Sequence, residues 1–187
     1  MKSVWAASRK RKQGAVIKRT GAASTKELHA VAGLLTEQGW PEAKQDWRTQ
    51  GVRVVRVQQR SSETPQTLGM NRQVALSGSR TGSQFLWAGT KLIRPGEQTG
   101  AHHHGALESV IYIVHGNALM RWGDRLEWIA KAGPGDFLQV PAWLPHQEMN
   151  ASSSEDLHCV FVRSGVEELV VNLDLDVVDE PEWIGDR

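Results

Sequence analysis

The sequence predicts an all-β domain, an antiparallel sandwich or barrel, behind a basic tail and a short helix. Three observations carry that prediction. Short β-branched or alternating segments recur at 52–57, 85–93, 110–114, 118–122, 126–130, 137–140, 157–162 and 169–173. Eighteen glycines and seven prolines supply turns between them. Gly123-Asp124, between Trp122 and Arg125, has the composition of a hairpin turn. Many short strands separated by Gly/Pro-rich turns favour layered or closed antiparallel sheets.

The first 50 residues have a different texture. Residues 1–20 carry seven bases and no acid, so the rest of the chain holds 15 bases against 21 acids. Only that tail could attract nucleic acid, because the acidic body repels phosphate. Ser24-Thr25-Lys26-Glu27 has capping-box spacing ahead of Leu28, Val31, Leu34 and Leu35 on one helical face. Gly39 and Pro41 then stop the helix where the recognition helix of a DNA-binding pair would run. The expected division is 1–50 for tail and helix and 51–187 for the barrel with its acidic C-terminal arm. Nucleic acid is not an expected partner; a small-molecule ligand and a homodimer are.

Cys159 is the sole cysteine, so no internal disulfide can form, and its apolar run reads as core. No apolar stretch approaches the roughly 18 residues of a membrane span, and the N-terminus lacks the apolar core of a secretory signal. The expected setting is the reduced cytoplasm, without a membrane partner.

Five of the seven histidines fall between 102 and 146. His102 and His104 are two apart, which on a strand points both imidazoles to one face. Glu108 follows a Gly-Ala-Leu turn and can return to that face, while His146 arrives from a separate strand after Pro141-Ala142-Trp143-Leu144-Pro145. Three neutral nitrogens and a carboxylate leave a divalent ion with open positions for exchange with substrate or water. His103 lies between two inward residues and should face outward. Ligating histidines must be neutral, so metal occupancy is expected to fall as pH drops through about 6.5.

Gly96, His102, His104 and Glu108 resemble the first motif of the cupin superfamily, and Gly135, Pro141, His146 and Asn150 resemble the second. The resemblance implies an RmlC-like double-stranded β-helix with one divalent metal held by His102, His104, Glu108 and His146. Two departures stand out. Seven residues separate Glu108 from Gly116, so Ser109 occupies the family's glutamate position counted back from that glycine. A bulge is then needed to turn Glu108 inward. Trp143 also stands where the second motif usually has glycine. The segment 102–128 further resembles a group of bacterial cupins without an agreed function.

The donor set accepts Mn, Fe, Ni, Zn or Cu, and Fe(II) is the expected metal. The expected activity is a mononuclear dioxygenase acting on a small enolisable or vicinal-oxygen substrate. A metal-dependent isomerase or lyase and a non-catalytic ligand or metal sensor are the alternatives. Glu108 and Tyr112 are the candidate catalytic groups. Trp143, Met120 and Trp87 are the candidate substrate wall, and Arg121 is the candidate holder of a substrate carboxylate. Arg163 is open to that role or to a surface one.

Overall fold

The computed structural model describes Arg48 and residues 51–185. The basic tail and the capped helix expected over 1–50 lie outside the described residues.

Among the described residues, eleven short strands follow in chain order. They are β1 (Asn71–Leu76), β2 (Leu86–Ile93), β3 (His102–His103), β4 (Ser109–His115), β5 (Ala118–Trp122) and β6 (Trp128–Ala132). The series continues with β7 (Phe137–Val140), β8 (His146–Asn150), β9 (Leu157–Ser164), β10 (Val171–Asn172) and β11 (Glu182–Trp183). One sheet runs β1-β2-β9-β4-β7 and the other β10-β3-β8-β5-β6-β11. Every pairing is antiparallel except β11 with β6. The all-β architecture expected for the barrel is therefore the one the described residues form. No helix among the described residues is long and apolar enough to cross a membrane.

Strict alternation places the core. Trp87 and Ile93 on β2, Ile111 and Ile113 on β4, and Leu157, Cys159 and Phe161 on β9 all point inward and are buried. Ala118 and Met120 of β5 and Val140 of β7 join the same cluster. Burial raises the Cys159 thiol to about 11, which suits a packing residue rather than a nucleophile. Gly89 interrupts the inward row of β2 for a steric reason: a Cβ there would collide with the Gln73 carbonyl and the Phe161 ring.

Four local expectations need correction. Residues 52–57 form no strand: Val52 and Val54 are exposed, and a 3-10 turn occupies Val57–Gln59. β-Branched composition without a paired, half-buried surface is not enough to make a strand. The segment expected at 126–130 shifts to Trp128–Ala132 because Leu126 belongs to the turn. It sits at φ +51 with its side chain fully buried. The segment at 169–173 shrinks to the two residues of β10. β1 was not anticipated, because its inward positions are Arg72 and Val74, and a buried arginine breaks the apolar alternation.

The acidic arm lies along the edge of the second sheet. Glu182 and Trp183 pair with Trp128 and Ile129, and Val178 N donates to Arg125 O at 3.0 Å.

Candidate metal centre

His102 opens β3 and sits opposite His146 of β8 in the ladder, and His104 follows two residues on. All three are buried, and their ligand atoms lie within 4.8 Å of one another. Each ring is fixed from behind. His102 Nδ1 donates to Gly100 O at 2.8 Å, His104 Nδ1 to Leu169 O at 2.9 Å and His146 Nδ1 to Leu144 O at 2.9 Å. A carbonyl can only accept, so each Nδ1 carries the proton and each Nε2 keeps its lone pair. This is how outer partners orient metal-ligating histidines. His102 Nε2 is buried without a hydrogen-bond partner, which leaves a donor atom that an ion would satisfy. The three residues therefore fit a divalent metal.

Burial, with His146 adding to it, lowers His102 to about 3. Burial and then the Arg163 guanidinium lower His104 to about 2, and burial lowers His146 as well. The expected loss of metal through pH 6.5 is thus corrected: the folded site keeps its imidazoles neutral well below that. The unfolded chain binds these protons first, so stability falls as pH drops from about 6.5 toward 3. Chelator-treated protein should show a clearly lower Tm at pH 5 than at pH 7.5. An unchanged Tm would contradict the buried neutral histidines.

The carboxylate expected beside them is absent. Glu108 is exposed, while Ser109 is buried and begins the inward row Ser109, Ile111, Ile113. The ladder runs regularly from Ser109 opposite Arg163, and its irregularity falls later, between Ile113 and His115. No bulge turns Glu108 inward; the one residue doubled in this ladder lies at the far end of β4, where Ile113 and His115 stand opposite Cys159 and His158. Glu108 instead meets Ser164: its N donates to Ser164 Oγ, and its carbonyl accepts from Ser164 N, both at 3.0 Å.

Several other expected roles move too. Tyr112 alternates out of phase with Ile111 and Ile113, facing away from the core with its ring 4.8 Å from Phe137. Arg121 is occupied structurally, donating from Nε to Leu126 O at 2.9 Å and from Nη2 to Val178 O at 2.6 Å. It anchors the C-terminal arm. Trp87 is fully buried against Phe161, 4.9 Å between centroids, and walls no opening. Trp143 is 64% exposed at the rim, its ring 5.7 Å from His103. It adopts φ +63 where the family motif has glycine, a conformation costly for a bulky residue.

Met120, expected in the substrate wall, is buried in the core cluster and reaches a cleft. With Trp122, Leu138, Val140, Leu144 and His146 it lines a cleft of about 370 Å³. His146 thus belongs to both the histidine cluster and this largely apolar cleft.

Sequence reasoning missed a second group, made of buried charge. Arg163 stands inward at the end of β9 and donates from Nη2 to His104 Nε2 at 2.9 Å. Its Nε donates to Ser109 Oγ at 3.2 Å and its Nη1 to Leu169 O at 3.1 Å. Arg72 lies with its guanidinium 4.5 Å from the Trp87 centroid, and that of Arg163 lies 4.8 Å from it. Arg72 Nη2 reaches Thr64 and Pro65, while its Nε and Nη1 are buried without partners. Lys91 pairs with Glu148, whose second oxygen is also unpartnered. Burial works to raise the Glu148 carboxyl, but Lys91, with His102 and His146, outweighs it and holds it down to about 2. Burial lowers Arg163 to about 9 and Arg72 to about 10. Arginine stays charged in proteins, so these shifts mark a cost of burying the cations. Strand phase could have revealed both: Arg163 follows Leu157, Cys159 and Phe161 at steps of two, and Glu148 follows His146.

Two facing sheets with three convergent histidines define a small-barrel protein with a candidate mononuclear metal site. Over residues 90–171 the chain matches the cupin domain family model. It superposes on a double-stranded β-helix protein from Klebsiella pneumoniae with a TM-score of 0.51 and 17% identity, covering 66% of this chain and 98% of that one. The polyketide cyclase RemF from Streptomyces resistomycificus gives 0.52 and 18%, covering 70% and 89%. Oxalate decarboxylase from Bacillus subtilis gives 0.50 and 19%, covering 87% and 41%. At these identities the likeness is one of fold. No curated protein sequence matches the chain.

Proposed function

We propose that the chain is a mononuclear metal-dependent dioxygenase of a small organic substrate bearing enolisable or vicinal oxygens. One observation supports this reading above the others: three oriented Nε2 atoms converge in the barrel interior, and one of their rings also lines an apolar cleft. Three neutral donors leave half of an octahedron open. A divalent ion there supplies Lewis acidity, and iron adds one-electron reactivity toward dioxygen. Met120, Trp122 and Leu144 hold the substrate's carbon body and exclude water, while the carbonyl-anchored imidazoles hold the reacting end in place.

The test is reconstitution with Fe(II), Mn, Ni and Zn, followed by oxygen uptake with diketones, catechols and hydroxy-ketones. Iron-loaded protein should consume oxygen in step with product, and His146→Ala should not. Product without oxygen uptake would make the protein an isomerase or lyase. Ligand binding without conversion in every metal form would make it a sensor.

A further inference from the structure

The start of β4 brings no carboxylate to the centre: Glu108 is exposed, and the inward position belongs to Ser109. Among the described residues, Glu148 is the only carboxylate that is buried. It follows His146 by two on β8, so both side chains point into the barrel. Same-face neighbours on a strand lie about 6.7 Å apart at Cα. Thr99 holds the Glu148 backbone from both sides: Glu148 N donates to Thr99 Oγ1 at 3.0 Å, and Glu148 O accepts from Thr99 N at 2.8 Å. Lys91, reaching across from β2, grips Oε1. Oε2 is left buried without a hydrogen-bond partner, as is His102 Nε2. Both atoms are acceptors, so each calls for a cation or a donor and neither can satisfy the other. The space that Glu148 lines together with His104 and His146 has room for about one water-sized group.

Resting on the metal reading of the site, we propose that Glu148 is the carboxylate of the metal centre, serving it from β8 through a single water. The group of ligand atoms within 4.8 Å of one another comprises the three imidazoles without Glu148, so the contact runs through a water rather than a bond to the ion. A water held by the ion is the donor that Oε2 lacks, and a hydrogen bond to a carboxylate is among the stronger ones. The carboxylate also offsets the ion's charge in a medium that screens both poorly. Lys91 and Thr99 fix the acceptor before the ion arrives, as outer partners of metal sites do. The strand that brings the negative charge is therefore β8, which also carries His146, and not β4.

The experiment measures Mn(II) affinity of the full, chelator-stripped chain by calorimetry. Glu148→Gln, which keeps the shape and removes the charge, should weaken Mn(II) by about 10–100-fold, the scale of losing an outer partner of a metal site. Lys91→Met should hold Mn(II) at least as tightly as wild type, because it releases the other carboxylate oxygen. An ion pair with a structural role alone would not give opposite effects from its two halves. Co(II)-loaded wild type and Glu148→Gln should share one visible absorption spectrum, since the ligands themselves do not change. Should Glu148→Gln fail to fold, the double variant Lys91→Met and Glu148→Leu, which removes both charges of the pair, should show the same loss of affinity. Unchanged Mn(II) affinity in the folded Glu148 variants, or a fall in Lys91→Met equal to that in Glu148→Gln, overturns this proposal while leaving the metal reading standing. A changed Co(II) spectrum makes Glu148 a direct ligand and overturns the contact through water. Wild type that binds no Mn(II) overturns both readings.

Discussion

Glu148→Ala is expected to cost about 3–5 kcal/mol of folding stability, the scale on which breaking a buried ion pair from one side is felt. Lys91 and Glu148 are both buried and paired, and Glu148 also lowers the cost of burying Arg72 and Arg163. Removing it would leave three cations in the barrel without a buried counter-charge, with the half-buried Glu168 acting on Arg72 alone. Simultaneous Lys91→Met and Glu148→Leu should cost much less, because the pair's own desolvation penalty disappears with it. Urea unfolding of metal-free protein measures both. A loss below about 1 kcal/mol for the single variant would show that Glu148 does not balance the interior.

The second large effect is on metal content. His102→Ala, His104→Ala and His146→Ala should each weaken binding beyond the roughly 10–100-fold that losing an outer partner of a ligand costs. Occupancy, measured by elemental analysis after dialysis, should drop from about one ion per chain to near zero. Glu108→Ala and His103→Ala should keep wild-type occupancy. Glu108 is exposed, and His103 Nδ1 accepts from Gly105 N at 2.9 Å, outside the cluster. Metal loss in Glu108→Ala would mean that the carboxylate joins the site in the loaded protein.

The fold was legible because apolar alternation and turn residues agree along most of the barrel. The strands at Ala118–Trp122 and Phe137–Val140 fall where their composition put them. The three histidines were legible because ligand spacing survives any small register error: His102 and His104 share a face whichever way the strand begins. Glu108 was not, since it lies between the end of β3 and the start of β4 at Ser109, where strand alternation no longer fixes facing, and only the ladder opposite Arg163 places it. Arg72 and Glu148 escaped, and Arg163 was left open between a carboxylate holder and a surface residue, for a shared reason. Long charged side chains are ordinarily solvated, and the pairing that lets them stay inside is made across strands distant in sequence. Val52–Val57 misled in the opposite direction, offering strand composition where no strand forms among the described residues.

The C-terminal arm gives the barrel a particular colloidal character. Because β11 lies outermost on one side of its sheet, with β10 on the other, one of the two edges belongs to a segment carrying Asp174, Asp176, Asp179, Glu180 and Glu182. An exposed strand edge is a template for edge-to-edge polymerisation, and like charge along it is a common natural deterrent. At neutral pH two copies approaching along this edge repel each other. Once those charges are screened by salt, the same edge becomes the place where self-association would begin.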